Sequence, residues 1–91
     1  MKIEGIEFFL TLAETLNYSD AADRLFITQS ALSRTIQQME REMGVKLFLR
    51  THRSVRLTPA GQSFIDDARD LVSRYHASVE HAHNAYRGEE G

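Results

Sequence analysis

The sequence predicts a mainly α-helical fold, a winged helix-turn-helix of three helices and a two-stranded β wing, followed by a long dimerising linker helix. Three observations predict it. Residues 19–42 have the pattern of a short helix, a tight turn and a longer helix. Short apolar segments then alternate with polar residues between positions 46 and 58, which is typical of strands. Beyond position 59 the apolar residues recur in heptads.

The first segment, Ile3–Leu16, carries apolar residues at helical spacing and predicts a helix with one core-facing side. We expect Asn17 to take the left-handed turn that ends this helix. Ser19 is then expected to cap a second helix from Asp20 to about Phe26.

The turn between the second and third helices contains two apolar residues, Phe26 and Ile27, which we expect to fill the corner between the helices. Thr28 follows as the predicted N-cap of the third helix, and the free amides of that first turn suit a phosphate. Gly44 comes directly after Met43 and predicts the left-handed end of this helix.

The third helix is predicted to have an apolar face and an opposite polar face. The apolar positions, spaced for one side of a helix, are Leu32, Ile36, Met39 and Met43. The polar face has no carboxylate and comprises Ser30, Ser33, Arg34, Gln37, Gln38 and Arg41, with Gln29 at the helix start. Arginine can recognise guanine and glutamine adenine in the major groove. An ordinary solvated helix face is the alternative interpretation.

A hairpin is predicted after Gly44, with strands within 46–50 and 55–58. Arg53 would lie at its tip, with Arg50 and Arg56 on either side. Such a wing can place guanidinium groups along phosphates or in a minor groove. A solvated turn that happens to be basic is the alternative.

The last segment opens with Thr58 as predicted N-cap and Pro59 at the first helical position. Its heptad positions are Ile65, Ala68, Val72, Tyr75, Val79, Ala82 and Tyr86. A helix of roughly 28 residues would be about 40 Å long at 1.5 Å per residue, more than the small domain can cover. A second copy of the chain is the simplest partner for this seam. The alternative, packing on the chain's own domain, fits only the first turns through Phe64 and Leu71.

Length and charge favour a binding module over an enzyme. The 91 residues are 42% hydrophobic, which suits one small domain without a buried catalytic cleft. The net charge is −2, but residues 24–57 contain seven basic and two acidic residues. Affinity for a polyanion depends on this local basic region and not on the total.

Other function classes find little support in the sequence. Cysteine is absent, there is no apolar run of membrane-spanning length, and Glu4 and Glu7 do not fit a signal peptide. We therefore expect a soluble, cytoplasmic, nucleoid-associated protein without cofactor and without membrane contact. His81 and His83 would point about 200° apart on a helix, which disfavours a metal site within one chain. No glycine-rich phosphate loop or nucleophile motif is present.

Two stretches together closely resemble the N-terminal domain of LysR-type transcriptional regulators. They are FFLTLAETLNYSDAADRLFITQSALSRTIQQMEREMGVKLFLR at 8–50 and RSVRLTPAG at 53–61. The resemblance implies sequence-specific binding to double-stranded DNA at an interrupted dyad operator. It implies a homodimer through the linker helix and a tetramer of the full-length regulator. It also implies that a small-molecule effector binds a C-terminal domain absent from this chain.

By the same resemblance, residues 1–58 form the DNA-binding domain, 59–87 the linker helix, and 88–91 the start of a hinge to the effector-binding domain. The family's DNA contacts fall on Gln29, Ser30, Ser33, Arg34, Gln37 and Arg53. Two positions depart from the family pattern. Ser30 stands where proline is frequent, and His52 stands where a turn-favouring residue is frequent. The alternative function is a winged-helix protein-protein interaction module with a coiled-coil helix, which the Arg and Gln face disfavours.

Overall fold

The computed structural model describes residues 1–90, with the Glu90 side chain left aside. These residues form helices α1 (Ile3–Thr15), α2 (Tyr18–Leu25), α3 (Gln29–Met43) and α4 (Pro59–Glu90) and strands β1 (Phe48–Arg50) and β2 (Val55–Leu57). The predicted winged helix-turn-helix with a long C-terminal helix is therefore confirmed. The antiparallel strands pair Phe48 with Leu57 and Arg50 with Val55.

The core lies where α1, α3, the wing and the first half of α4 meet. Phe9 is fully buried, and its ring centroid lies 5.5 Å from that of Phe48 and 5.0 Å from that of Phe64. The apolar face predicted for α3 is confirmed, since Leu32, Ile36 and Met39 are buried and Met43 packs beside them. One aromatic cluster therefore joins α1 to β1 and α4.

Helix α1 ends, and helix α2 begins, at residues other than the predicted ones. The left-handed residue after α1 is Leu16, at φ 51°, and not Asn17. Asn17 is instead the N-cap of α2, where its Oδ1 accepts the amide of Asp20 at 2.9 Å, so the Ser19 cap was wrong. Because the Asn17 side chain satisfies that first-turn amide, α2 starts two residues earlier than expected.

The corner of the helix-turn-helix was also predicted incorrectly for one residue. Phe26 is left-handed at φ 57° and 94% exposed, while Ile27 alone packs against the core. The amides of Phe26 and Ile27 donate to the carbonyls of Asp23 and Ala22, which closes the end of α2 and turns the Phe26 side chain outward. The corner is thus filled by Ile27 and closed by backbone hydrogen bonds.

Three predicted caps are confirmed. The Oγ1 of Thr28 accepts the amide of Ala31 at 3.0 Å, and Gly44 ends α3 at φ 75°. The Oγ1 of Thr58 accepts the amide of Gly61 at 3.0 Å and so caps α4 directly after the wing. The wing therefore passes into α4 without a loop.

Helix α4 departs from the prediction at both its end and its seam. It continues through Gly88 to Glu90 instead of ending near Arg87, and Gly91 of the predicted hinge lies outside the described residues. Ala68 is fully buried in the core of its own chain, and Ile65 and Val72 pack against that core. Ala68 is therefore unavailable to a second copy, contrary to the predicted dimerisation set. The reason is that the first four turns of α4 cover α1 and the wing.

From Leu71 onwards, one side of α4 carries an exposed apolar stripe. This stripe comprises Leu71, Tyr75, Val79, Ala82 and Tyr86. The last four belong to the predicted seam, and Leu71 is an addition to it. The described part of the chain measures 58 × 26 × 20 Å, and α4 accounts for the long dimension. None of the described helices is both long enough and apolar enough to cross a membrane.

Candidate nucleic-acid interface

The polar face of α3 is exposed as predicted. Gln29, Ser30, Arg34, Gln37 and Arg41 are exposed, and Ser33 is half-buried. The Nε2 of Gln37 lies 3.4 Å from the Oγ of Ser33, a weak contact that an incoming base can replace. The face therefore presents hydroxyl, amide and guanidinium groups in one continuous row.

Gln38 lies at the edge of this face and turns towards the start of α1. Its Nε2 is 3.4 Å from the Oε1 of Glu42, whose other oxygen lies 2.7 Å from the N-terminal ammonium. The hydrogen bond and charge of the N-terminus are the main causes that lower the pKa of Glu42. Gln38 is thus held next to a carboxylate, which makes it the least favourably placed of the predicted α3 contacts.

The start of α3 is positioned by its cap. Because Thr28 accepts the amide of Ala31, the first turn of α3 is fixed while other amides of that turn stay free of helical partners. Such amides attract phosphate oxygens. Thr28 and Gln29 are both exposed beside them.

The tip of the wing is a closed turn. The amide of Thr51 donates to the carbonyl of Ser54 at 2.9 Å, and the amide of Ser54 donates to the Oγ1 of Thr51 at 3.2 Å. His52 and Arg53 lie at the middle of this turn and are exposed. The departure at His52 therefore leaves a well-formed tip with Arg53 projecting from it.

The wing and the start of α3 are joined by a shallow polar groove. Its inner part is lined by Tyr18, Gln29, Ser30, Ser33 and Arg50. Its outer part continues along the wing past Thr51, His52, Arg53 and Ser54. The structure therefore brings Gln29, Ser30, Ser33, Arg50 and Arg53 to one groove, while Arg34, Gln37, Gln38 and Arg41 lie farther along α3.

The basic residues of this surface carry no acidic partner within the described residues. The ion pairs of residues 1–90 involve Arg24, Lys46 and Arg69, but none involves Arg34, Arg41, Arg50 or Arg53. Their charges are therefore available to an anion. In the part of the chain that the structure describes, no cluster of three His, Asp or Glu side chains could hold a metal ion.

One groove residue, Tyr18, was missed by the sequence interpretation. The guanidinium carbon of Arg50 lies 4.4 Å from the centre of its ring. Burial raises the pKa of Tyr18, the charge of Arg50 partly offsets this, and Glu40 adds to it. An aromatic residue at the start of α2 gives no sequence signal of a partner 32 positions away in the wing.

The family model for bacterial regulatory helix-turn-helix proteins of the lysR family matches residues 3–62, from the start of α1 into α4. The chain belongs to the LysR family. This confirms the resemblance drawn from the sequence, and the match includes the whole of α3 and the wing.

Similar proteins carry names of the same kind. The chain is 44% identical over 91 residues to the HTH-type transcriptional regulator TfdT of Cupriavidus pinatubonensis, covering 100% of this chain and 40% of that protein. It is 46% identical over 89 residues to the regulator ShiR of Corynebacterium glutamicum, covering 98% and 30%. The chain thus spans less than half the length of these relatives, which are named as transcriptional regulators.

Solved structures agree with this assignment. The crystal structure of a CbnR DNA-binding domain in complex with DNA matches with a TM-score of 0.89 and 34% identity, over 94% of this chain and 99% of that one. A BenM DNA-binding domain in complex with a catB site matches with a TM-score of 0.88 and 34% identity, over 98% and 96%. The arrangement of helices and wing is therefore that of LysR-family DNA-binding domains.

Proposed function

We propose that this chain is the sequence-specific DNA-binding part of a LysR-type transcriptional regulator. Helix α3 enters the major groove and the wing follows the adjacent backbone and minor groove. The single observation that carries the proposal is the carboxylate-poor surface formed by the α3 face and the wing, where Arg34, Arg41, Arg50 and Arg53 have no acidic partner among residues 1–90. The likeness to LysR-family domains solved in DNA complexes supports it.

The proposed base contacts are Gln29, Ser33, Arg34 and Gln37, because their side chains are long or adaptable and lie on the exposed face of α3. Ser30 joins them and offers a hydroxyl donor or acceptor. Arg41, Arg50 and Arg53 are proposed to grip phosphates, with Thr28 and the first-turn amides of α3. Gln38 is a peripheral contact.

The proposed assembly is a homodimer through α4, which suits an operator with two half-sites. The apolar stripe from Leu71 to Tyr86 supports it, because a solvent-exposed stripe of this length is stabilised by a second helix. In the full-length regulator we propose a tetramer, a small-molecule effector bound by a further domain, and a location in the cytoplasm on the nucleoid. No enzymatic activity is proposed.

Selection from a randomised duplex library tests the sequence specificity. The chain is incubated with the library, bound duplexes are amplified over several rounds, and the enriched sequences are compared. We expect a common motif whose affinity falls steeply with salt, because phosphate neutralisation releases counterions. Absence of enrichment together with salt-insensitive binding would contradict the proposal and favour the protein-interaction module.

A further inference from the structure

The contact between Arg50 and Tyr18 joins the wing to the helix-turn-helix. Arg50 is the last residue of β1 and Tyr18 the first of α2, and the guanidinium carbon lies 4.4 Å from the ring centre. A cation within about 6 Å of an aromatic face is attracted to the ring electrons. This contact therefore sets where the Arg50 side chain lies.

Of the two residues, Tyr18 is the fixed one. Its ring is half-buried and packs against the hydrophobic core, whereas Arg50 is exposed at the edge of the wing. An exposed arginine otherwise samples many rotamers, and ordering it on binding costs free energy. The ring of Tyr18 holds the guanidinium in place before any ligand arrives.

The guanidinium group of Arg50 is thereby held in the inner part of the polar groove. Besides Tyr18 and Arg50, this part is lined by Gln29, Ser30 and Ser33, and none of the described lining residues is acidic. Guanidinium, hydroxyl and amide groups are the usual donors to a DNA phosphate. Along the wing the groove continues with Thr51, His52 and Arg53, again without a carboxylate among the described residues.

We propose that Tyr18 is a positioning residue that holds Arg50 over the groove between α3 and the wing, where one backbone phosphate of the duplex binds. This inference rests on the proposed function. Arg50 supplies the donors to that phosphate, next to the base-contacting residues Ser30 and Ser33 that line the same part of the groove. Tyr18 acts through Arg50 and needs no contact of its own with the DNA.

A double-mutant cycle tests the coupling. Affinity for a short labelled duplex of arbitrary sequence is measured at two salt concentrations for the wild type, Tyr18→Leu, Arg50→Ala and the double variant. Tyr18→Phe is the matched control, because it keeps the ring and loses only the hydroxyl. An arbitrary sequence is sufficient because a phosphate contact does not depend on the bases.

We expect Tyr18→Leu to weaken binding about threefold, the size of an exposed cation–π contact, and Tyr18→Phe to bind like the wild type. In the Arg50→Ala background, Tyr18→Leu should cause no further loss. Arg50→Ala should also reduce the salt slope by about one phosphate contact. Equal losses from Tyr18→Leu with and without Arg50 would overturn the positioning role.

Two further measurements distinguish the positioning role of Tyr18 from a purely structural effect of its replacement. Thermal unfolding shows whether Tyr18→Leu destabilises the fold, and if so Tyr18→Met, which keeps more of the packing, replaces it in the cycle. The Arg50 side-chain proton signals of the free wild type should show a ring-current shift that Tyr18→Phe keeps and Tyr18→Leu loses. Absence of that shift overturns the contact. A wild type that binds no duplex overturns the proposed function, whereas normal binding by Tyr18→Leu overturns only the inference about Tyr18.

Discussion

The Oε2 of Glu40 lies 2.7 Å from the amide nitrogen of Leu47 and also accepts the amide of Phe48 at 3.2 Å. Glu40 is only 8% exposed, and Lys46 lies at 3.9 Å from its other oxygen. The Glu40 carboxylate, on the last turn of α3, is thus the hydrogen-bond acceptor for the amides of Leu47 and Phe48 at the start of the wing. This side chain therefore ties the last turn of α3 to the start of the wing.

Replacing Glu40 by Ala is expected to lower the free energy of unfolding by about 3 kcal/mol, because two buried amides lose a charged acceptor. Glu40→Gln keeps an acceptor but not the charge and should lose roughly half as much. Urea unfolding monitored by circular dichroism measures both. Wild-type stability of Glu40→Ala would show that water replaces the carboxylate without cost.

Gly61 lies against the carbonyl of Leu47, and a Cβ there would be 2.1 Å from that oxygen. We expect Gly61→Ala to destabilise the fold by about 2 to 3 kcal/mol, because backbone atoms have to move. Gly88→Ala is the matched control, since nothing lies within 4 Å of its Cβ position. Because Gly88 is helical, its replacement should stabilise α4 by up to about 1 kcal/mol. Thermal unfolding shows whether each variant is less or more stable than the wild type. Equal changes in stability for the two variants would contradict the close approach at Gly61.

Arg34 lies in the middle of the exposed α3 face, and its replacement tests base reading. Arg34→Ala is expected to lose about 1 to 3 kcal/mol of binding free energy for the selected duplex and much less for random DNA. Fluorescence anisotropy measures both affinities. Arg69→Ala removes one positive charge from α4, where Arg69 pairs with Asp66. It should leave the difference in binding free energy between the selected duplex and random DNA unchanged. Equal losses on both duplexes would make Arg34 a phosphate contact.

Val79 lies mid-way along the exposed stripe of α4 and is 40% exposed in the single chain. Val79→Asp should dissociate the dimer, because it buries an unpaired charge in the interface. Ser73→Asp, an exposed position on the opposite side of α4, is the control and should leave the dimer intact. Sedimentation measures the mass of each. A dimer that survives Val79→Asp would refute the proposed α4 interface. Val72 is less suitable, because it also packs against the core of its own chain.

Much of the fold follows from local rules that the sequence displays directly. Thr28, Gly44 and Thr58 are caps whose chemistry does not depend on distant residues, so they could be placed from the sequence. The α3 stripe has a clear helical period, and its burial was predicted for the same reason. Where local chemistry offers two candidates, as with Asn17 and Ser19, the sequence does not decide between them.

The remaining differences depend on tertiary contacts. Phe26 is apolar, but backbone hydrogen bonds at the end of α2 turn it outward against its hydrophobicity. Ala68 continues a heptad pattern, but the first half of α4 is already covered by α1. Tyr18 belongs to the groove only because the wing brings Arg50 over it. Such pairings become visible only when distant segments are brought together.

Thr58 ends the wing and begins α4 at the same residue. Its amide donates to the carbonyl of Leu47 at 3.0 Å, its hydroxyl donates to the carbonyl of Lys46 at 2.6 Å, and the amide of Gly61 donates to that hydroxyl. The junction therefore has no loop, and these three hydrogen bonds hold the wing and the first turn of α4 together. In the proposed dimer, we therefore expect the packing of the two α4 helices to set the distance between the two wings.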